Sequence, residues 1–269
     1  MLNLLRKLRR SLWGTGGIRK YCLYAIGEIA LVVIGILIAL QINNWNQQRI
    51  NKIQESIYIQ AIERDLNEQI VHIDAQISWE IDMAQIAQTM LIDYDTQSKF
   101  EVDSVFSSRM GTLSLRRTFT MIDATYEELV STGNINILSN STFKESLIKY
   151  YEKLERVVAI IHKNNSYFTD QEFLPKILNL IPIIRPESLN QTSGLSNIYE
   201  VQGREYLPSV KENLLSLAQK RVNHPDNVTT IFNCLSLKYD LSLIANGFMV
   251  DLKTSTEELI ASIPDQYPD

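Results

Sequence analysis

The sequence predicts a mainly α-helical protein: one N-terminal transmembrane helix, then an elongated antiparallel helical bundle with a long membrane-proximal helix. Three observations predict it. Gly (10) and Pro (7) are scarce in 269 residues, so few positions break a helix. Residues 21–42 are almost wholly apolar. Beyond them, apolar side chains recur at steps of three and four over stretches of several turns, which is helical periodicity.

The span comes first. YCLYAIGEIALVVIGILIALQI has 22 residues, about 33 Å as a helix, against a hydrocarbon core of roughly 30 Å. Its uninterrupted apolar part, Ile29–Leu40, has only 12 residues, a length that also suits a buried helix or a signal peptide. Aromatic rings decide for a span, because Tyr21 and Tyr24 mark one edge and Trp45 the other. A cut after Ala39 would need a small residue at position 37, which is Leu37. We therefore read an uncleaved signal-anchor.

Charge orients it. Residues 1–20 hold six bases (Arg6, Lys7, Arg9, Arg10, Arg19, Lys20) and no acid. From residue 43 onward, 20 bases (26 minus 6) face 30 acids (31 minus Glu28), a net of −10. Positive charge stays inside, so residues 1–20 are expected in the cytoplasm and residues 43–269 in the periplasm, with the span in the inner membrane. Arg19 and Lys20, with Tyr21 and Trp45, are the expected interface anchors. An acidic main domain repels phosphates, which argues against nucleic acid as a partner. In MLNLLRKLRRSLW, Leu5, Leu8 and Leu12 share a face, as in a helix lying on an anionic leaflet. The Gly14-Thr15-Gly16-Gly17 turn lacks the strand and Lys-Ser/Thr of a phosphate loop.

Tyr24 to Asn46, YAIGEIALVVIGILIALQINNWN, closely resembles the N-terminal signature of an uncharacterised family of Gram-negative bacterial membrane proteins. TYEELVSTGNINILSN (Thr125 to Asn140), followed by Tyr150 and Tyr151, is similar to a second part of that family. The resemblance implies a single-span membrane protein and carries no activity.

Periodicity then places the exported helices. Ile50, Ile53, Ile57, Ile62, Leu66, Ile70, Ile73, Ile77, Ile81, Ala84 and Leu91 predict one helix over about 43–93, with a loop from Asp93 to Asp103. Thr120 as N-cap, with Asp123 three residues on and Gly133 as a stop, predicts a helix over 120–132. Asn140/Ser141 opens another over 141–180, interrupted near its end by Pro175. Shorter and longer helices are expected over 213–220 and 226–263, with an irregular segment at 181–203 as a candidate recognition loop.

Candidate functional residues are few. Glu28 sits inside the apolar run, where an ionised carboxylate costs roughly 2.5–3.5 kcal/mol. Either it reaches the interface or is protonated, or it faces another helix. Tyr24, Glu28, Val32, Gly35 and Ala39 share one face, which offers a carboxyl and two small residues for close contact with a second copy or another membrane protein. His72, His162 and His224 are dispersed, and His72 with Glu68 is a one-turn pair on a solvated face. Glu63-Arg64-Asp65 with Glu68, Glu127-Glu128 and Glu257-Glu258 read as solvated polar faces. Tyr150, Tyr151, Tyr167, Tyr199 and Tyr206 suit core packing more than a ligand cleft. Cys22 and Cys234 fall on opposite sides of the membrane and cannot pair.

No nucleophile, nucleotide or metal signature is present, so no enzymatic role and no cofactor is expected. The expected function is a membrane-anchored helical interaction module that binds a partner protein or self-associates, with the lipid bilayer as its first partner. The alternatives are a ligand-sensing ectodomain with a cleft between long helices, and an enzyme with a site assembled from distant residues.

Overall fold

In the computed structural model, residues 18–183 and 212–263 are described, with side chains from Cys22 onward. The leucine- and arginine-rich start and most of the irregular segment 181–203 lie outside these residues. The chain separates into two compact units, residues 1–57 and 58–269. The first helix, α1 (Ile18–Gln97), carries residues of both. Every described regular element is helical.

In the first unit, α1 presents its apolar side chains outward. The large apolar residues from Leu23 to Ile42 are 47% to 73% exposed, and Trp45 is 69% exposed. Among the described residues this is the one helix long and apolar enough to cross a membrane.

The second unit begins at Tyr58 on α1. Its further elements are α2 (Ser104–Leu113), α3 (Ala124–Ser131), a 3₁₀ turn (Asn134–Ile137) and α4 (Ser141–Lys163). A ten-residue π-helix (Asn164–Phe173) follows, then α5 (Leu174–Leu180), α6 (Glu212–Val222) and α7 (Pro225–Ala261).

The buried side of α1 differs in part from the isoleucine-rich apolar stripe expected of it. Ile62, Leu66, Gln69, Ile73, Gln76, Glu80, Met83, Ala87 and Met90 are buried, at alternating steps of four and three. That is a 3.5-residue repeat, the register of helix-on-helix packing. Ile81, which the apolar periodicity places in the stripe, is 38% exposed, and Gln69, Gln76 and Glu80 take core positions instead. Asp65 is also buried, at 4%, which corrects the reading of 63–68 as a solvated face.

Two of these polar residues, Gln69 and Asp65, meet a specific need. The segment before α3 runs without regular structure, so its amides and carbonyls need partners. The Gln69 amide supplies two, donating to Thr120 O (3.3 Å) and accepting from Ile122 N (2.8 Å). Asp65 Oδ2 accepts from Thr125 N (3.3 Å) and Thr125 Oγ1 (2.5 Å), so α3 is capped from α1. Its own N-cap, Asp123, makes no side-chain capping bond, and Thr120 is not the cap. Gly133, at φ 75°, ends α3 as expected.

The same device recurs near α6. Asn223 and Gln219 lie one turn apart and face the extended stretch after Ser98. Asn223 accepts from Phe100 N (2.9 Å) and donates to Phe100 O (2.8 Å), while Gln219 Oε1 accepts from Val102 N (2.6 Å). This stretch falls in the expected loop, although α1 continues to Gln97. Helix α2 was not expected. Its N-cap is Asp103, which accepts from Phe106 N (2.7 Å), but its apolar residues Phe106, Met110 and Leu113 complete too few turns to read as periodic.

Two apolar clusters form the core. One joins Ile62, Leu66 and Ile73 with α4 and the C-terminal half of α7, and the other joins Trp79, Met83 and Met90 with α2, the π-helix, α5, α6 and the start of α7. Gln69→Ala would leave the half-buried Thr120 carbonyl and Ile122 amide without their side-chain partner. A loss of about 2–4 kcal/mol is expected, read from the unfolding midpoint of the detergent-solubilised chain.

Candidate functional site

The site is built where the two clusters meet. On α1 the changeover falls between Ile73 and Trp79, on α7 between Leu235 and Ala245, and around the end of α4 between Ile161 and Phe168. At those positions stand Gln76, Glu80, Lys238, Ser242 and Thr169, all buried. Gln76 Nε2 donates to Glu80 Oε1 at 2.8 Å. Burial pushes the Glu80 carboxyl above its ordinary range, and Lys238, Gln76 and Ser242 pull it back. Burial also drives the Lys238 ammonium below its usual range, opposed by Glu80.

A cavity of about 20 Å³ opens among Glu80, Lys238, Ser242, Thr169, Asn164 and Asn165. That is room for about one water, which needs ~10–15 Å³ and two to four polar partners. This layer can hold a solvent molecule and exchange protons with it, but it has no room for a substrate.

The π-helix forms its wall. An α-helix over the whole of 141–180 was expected, with Pro175 as the interruption. Pro175 lies in the first turn of α5, while the wider turns begin eleven residues before it, at Asn164. Proline has no amide to continue the ladder and its ring excludes the carbonyl four residues back. The preceding chain bonds in the i→i+5 pattern, as Leu174 N to Thr169 O shows.

Outside the same wall lies a cleft of about 230 Å³. Phe119, Val158 and Ile161 make its apolar side, while Arg116, His162, Asn165, Ser166 and Asp170 line the rest. Ile161 and Asn165 also line the small buried cavity. Arg116 and Asp170 form an ion pair at the rim. Asn165 Nδ2 holds Arg117 O at 2.9 Å, which ties the segment before α3 to the π-helix. A groove of about 270 Å³ lies between α4 and α7, with Lys153 held by Asp251 (2.6 Å) and Ser255 (2.7 Å).

With the geometry described, the comparisons can be stated. A family of unknown function, DUF6090, matches residues 28–174, more than half of the 269. The chain belongs to the DUF6090 family. The match runs from Glu28 to the first residue of α5, so it takes in Gln76, Glu80 and the π-helix but not Lys238 or Ser242. No curated protein and no solved structure matches the chain.

Residues singled out from sequence are dispersed. Tyr24, Glu28, Val32, Gly35 and Ala39 all lie on α1. Glu28, Val32 and Ala39 are exposed and Tyr24 is half-buried, and a Cβ at Gly35 would meet nothing within 4 Å. The side chains of Arg19, Lys20 and Tyr21 are outside the described residues. Tyr150 and Tyr151 are core residues, and Tyr151 stacks on Tyr126 with centroids 4.0 Å apart. Burial pushes the Tyr150 hydroxyl up to about 12. Tyr167 is exposed, and Tyr199 and Tyr206 lie outside the description. Among the described residues no group of three metal-ligating side chains converges, and both cysteines are free, Cys22 exposed and Cys234 buried.

Sequence reasoning missed Glu80, Lys238 and Arg116. The available signal was Glu80 falling on the 3.5-residue repeat, and Lys238 four residues before Ser242 on the buried side of α7.

Two tests follow from the layer. Lys238→Met removes the cation that opposes the desolvation of the buried Glu80 carboxyl and is expected to cost about 1–3 kcal/mol, part of it recovered in the Glu80→Gln/Lys238→Met double variant. The pH dependence has a definite sign. Glu80's native value is raised, so its contribution to stability is full below the unfolded value and is lost as pH rises through the native one. Thermal midpoints taken from about pH 4 to 7 are expected to carry this falling component in the wild type and to lack it in Glu80→Gln.

Proposed function

We propose that the protein is a membrane-anchored helical interaction module of the inner membrane of a Gram-negative bacterium. One signal-anchor helix over residues 21–42 crosses the bilayer. The N-terminus is cytoplasmic and residues 43–269 form a periplasmic domain that binds a partner protein or a second copy. The observation that carries this reading is the exposed apolar surface from Leu23 to Ile42, whose large side chains have no cover among the described residues. Such a surface in water is an aggregation hazard, and lipid removes it.

Within the bilayer, Tyr24, Glu28, Val32, Gly35 and Ala39 form the contact face. The open space at Gly35 suits close approach of another helix, and an exposed carboxyl at Glu28 gains a partner there. The periplasmic part is read as an elongated antiparallel bundle. The order of contacts supports this, because Asp74 pairs with Lys253 while Glu80, further along α1, interacts with Ser242 and Lys238, earlier on α7.

A second reading is favoured by the cleft beside the π-helix. It makes the periplasmic part a ligand-sensing domain that reports to a membrane partner, since π-helical turns recur at functional sites.

Two measurements test the first reading. A reporter active only outside the cytoplasm, fused at residue 269, is expected to be active, and an inactive fusion overturns the orientation. Glu28→Leu with Gly35→Leu is expected to abolish cross-linking to the partner or second copy in native membranes. Unchanged cross-linking removes the helix face from the proposal.

A further inference from the structure

We propose that the cleft between the π-helix and the segment before α3 binds a small zwitterion with an apolar side chain, of the free α-amino acid class. The inference rests on the sensing reading above and specifies its ligand.

At about 230 Å³ the cleft is smaller than the roughly 300–1,000 Å³ of pockets that take drug-sized ligands, which limits the occupant to a small metabolite. Its deep side is apolar: Phe119 is 5% exposed and Ile161 3% exposed, with Val158 packed against the same cluster. Its rim is charged with both signs, through Arg116 and Asp170.

The two charges decide the ligand class. Their side chains are 47% and 37% exposed, and a pair so wet contributes only about 0–1 kcal/mol. It therefore opens at little cost. A simple anion on Arg116 would leave Asp170 facing it as a repelling carboxylate, and a simple cation on Asp170 would face Arg116 in the same way. A zwitterion replaces one ion pair by two, the carboxylate on the Arg116 guanidinium and the ammonium on Asp170. Its side chain then lies along Phe119, Val158 and Ile161, displacing water from apolar surface.

The wall supplies this rim from one face. His162, Ser166 and Asp170 follow one another at steps of four and line the same cleft, with Asp170 on the π-helical stretch set opposite Arg116.

Thermal unfolding of the full-length protein in detergent provides the test, with millimolar leucine, isoleucine, valine and phenylalanine as probes. Their N-acetyl and amide derivatives serve as controls that require no folded variant. At least one free amino acid is expected to raise the midpoint, and both of its blocked forms are expected to lose that effect. Titration calorimetry of Arg116→Gln and Asp170→Asn is expected to show binding weakened about 10- to 100-fold, the worth of one charge-assisted hydrogen bond. Equal stabilisation by a blocked form overturns the zwitterion assignment. If small dicarboxylates or diamines stabilise the protein while amino acids do not, the zwitterion falls and the sensing reading survives. If none of these classes does, both fall.

Discussion

The fold of the second unit depends on one constraint, that polar side chains buried on a helix must be satisfied by whatever packs against them. Helix α1 brings Gln69, Gln76 and Glu80 into buried positions through its 3.5-residue repeat, with Asp65 buried beside it. An apolar residue at any of these sites would accept several neighbours equally well. A carboxylate that needs the Thr125 amide and hydroxyl, or an amide that needs Thr120 O and Ile122 N, accepts one arrangement only. These bonds place the irregular chain before α3, and that chain carries Arg116 and Phe119 to the cleft.

The buried Glu80 and Lys238 belong to the same logic at higher cost. Apolar clusters lie on either side of them, and continuous leucine and isoleucine there would stabilise the fold at least as well. Their presence separates the core into two parts at one level, on three elements at once. A polar layer of this kind fixes register, because sliding one helix past another by a turn would bury Glu80 and Lys238 apart. The π-helix begins at that level, so the departure from α-helical geometry and the departure from an apolar core coincide.

The legible and illegible parts of the fold divide along physical lines. Helical composition, the apolar stretch at 21–42, the Asn140 cap and the stop at Gly133 are local properties. Asn140 does accept from Phe143 N at 3.0 Å, and Gly133 does adopt a positive φ. On α7, Ile231, Leu235, Ser242, Ala245, Met249, Leu252 and Leu259 are buried along one helical face. On α1 the expected stripe is buried at Ile62, Leu66, Ile73 and Ala84 but not at Ile81, because isoleucines also stand beside the buried positions and apolar periodicity cannot tell a flank from a centre. The pairing of Glu80 with Lys238 joins residues 158 positions apart (238 minus 80) and leaves no mark in either local pattern.

By itself, then, the sequence determined a helical chain, an apolar segment long enough to cross a bilayer, and a few helix termini such as the Asn140 cap and the Gly133 stop. Each of these follows from the chemistry of neighbouring residues. Tertiary structure alone decided which polar residues lie inside, where the two clusters meet, and that Arg116, Asp170 and Phe119 share one cleft. Those outcomes depend on which distant helix supplies the missing hydrogen bond or counter-charge, and that choice is made only when the helices pack.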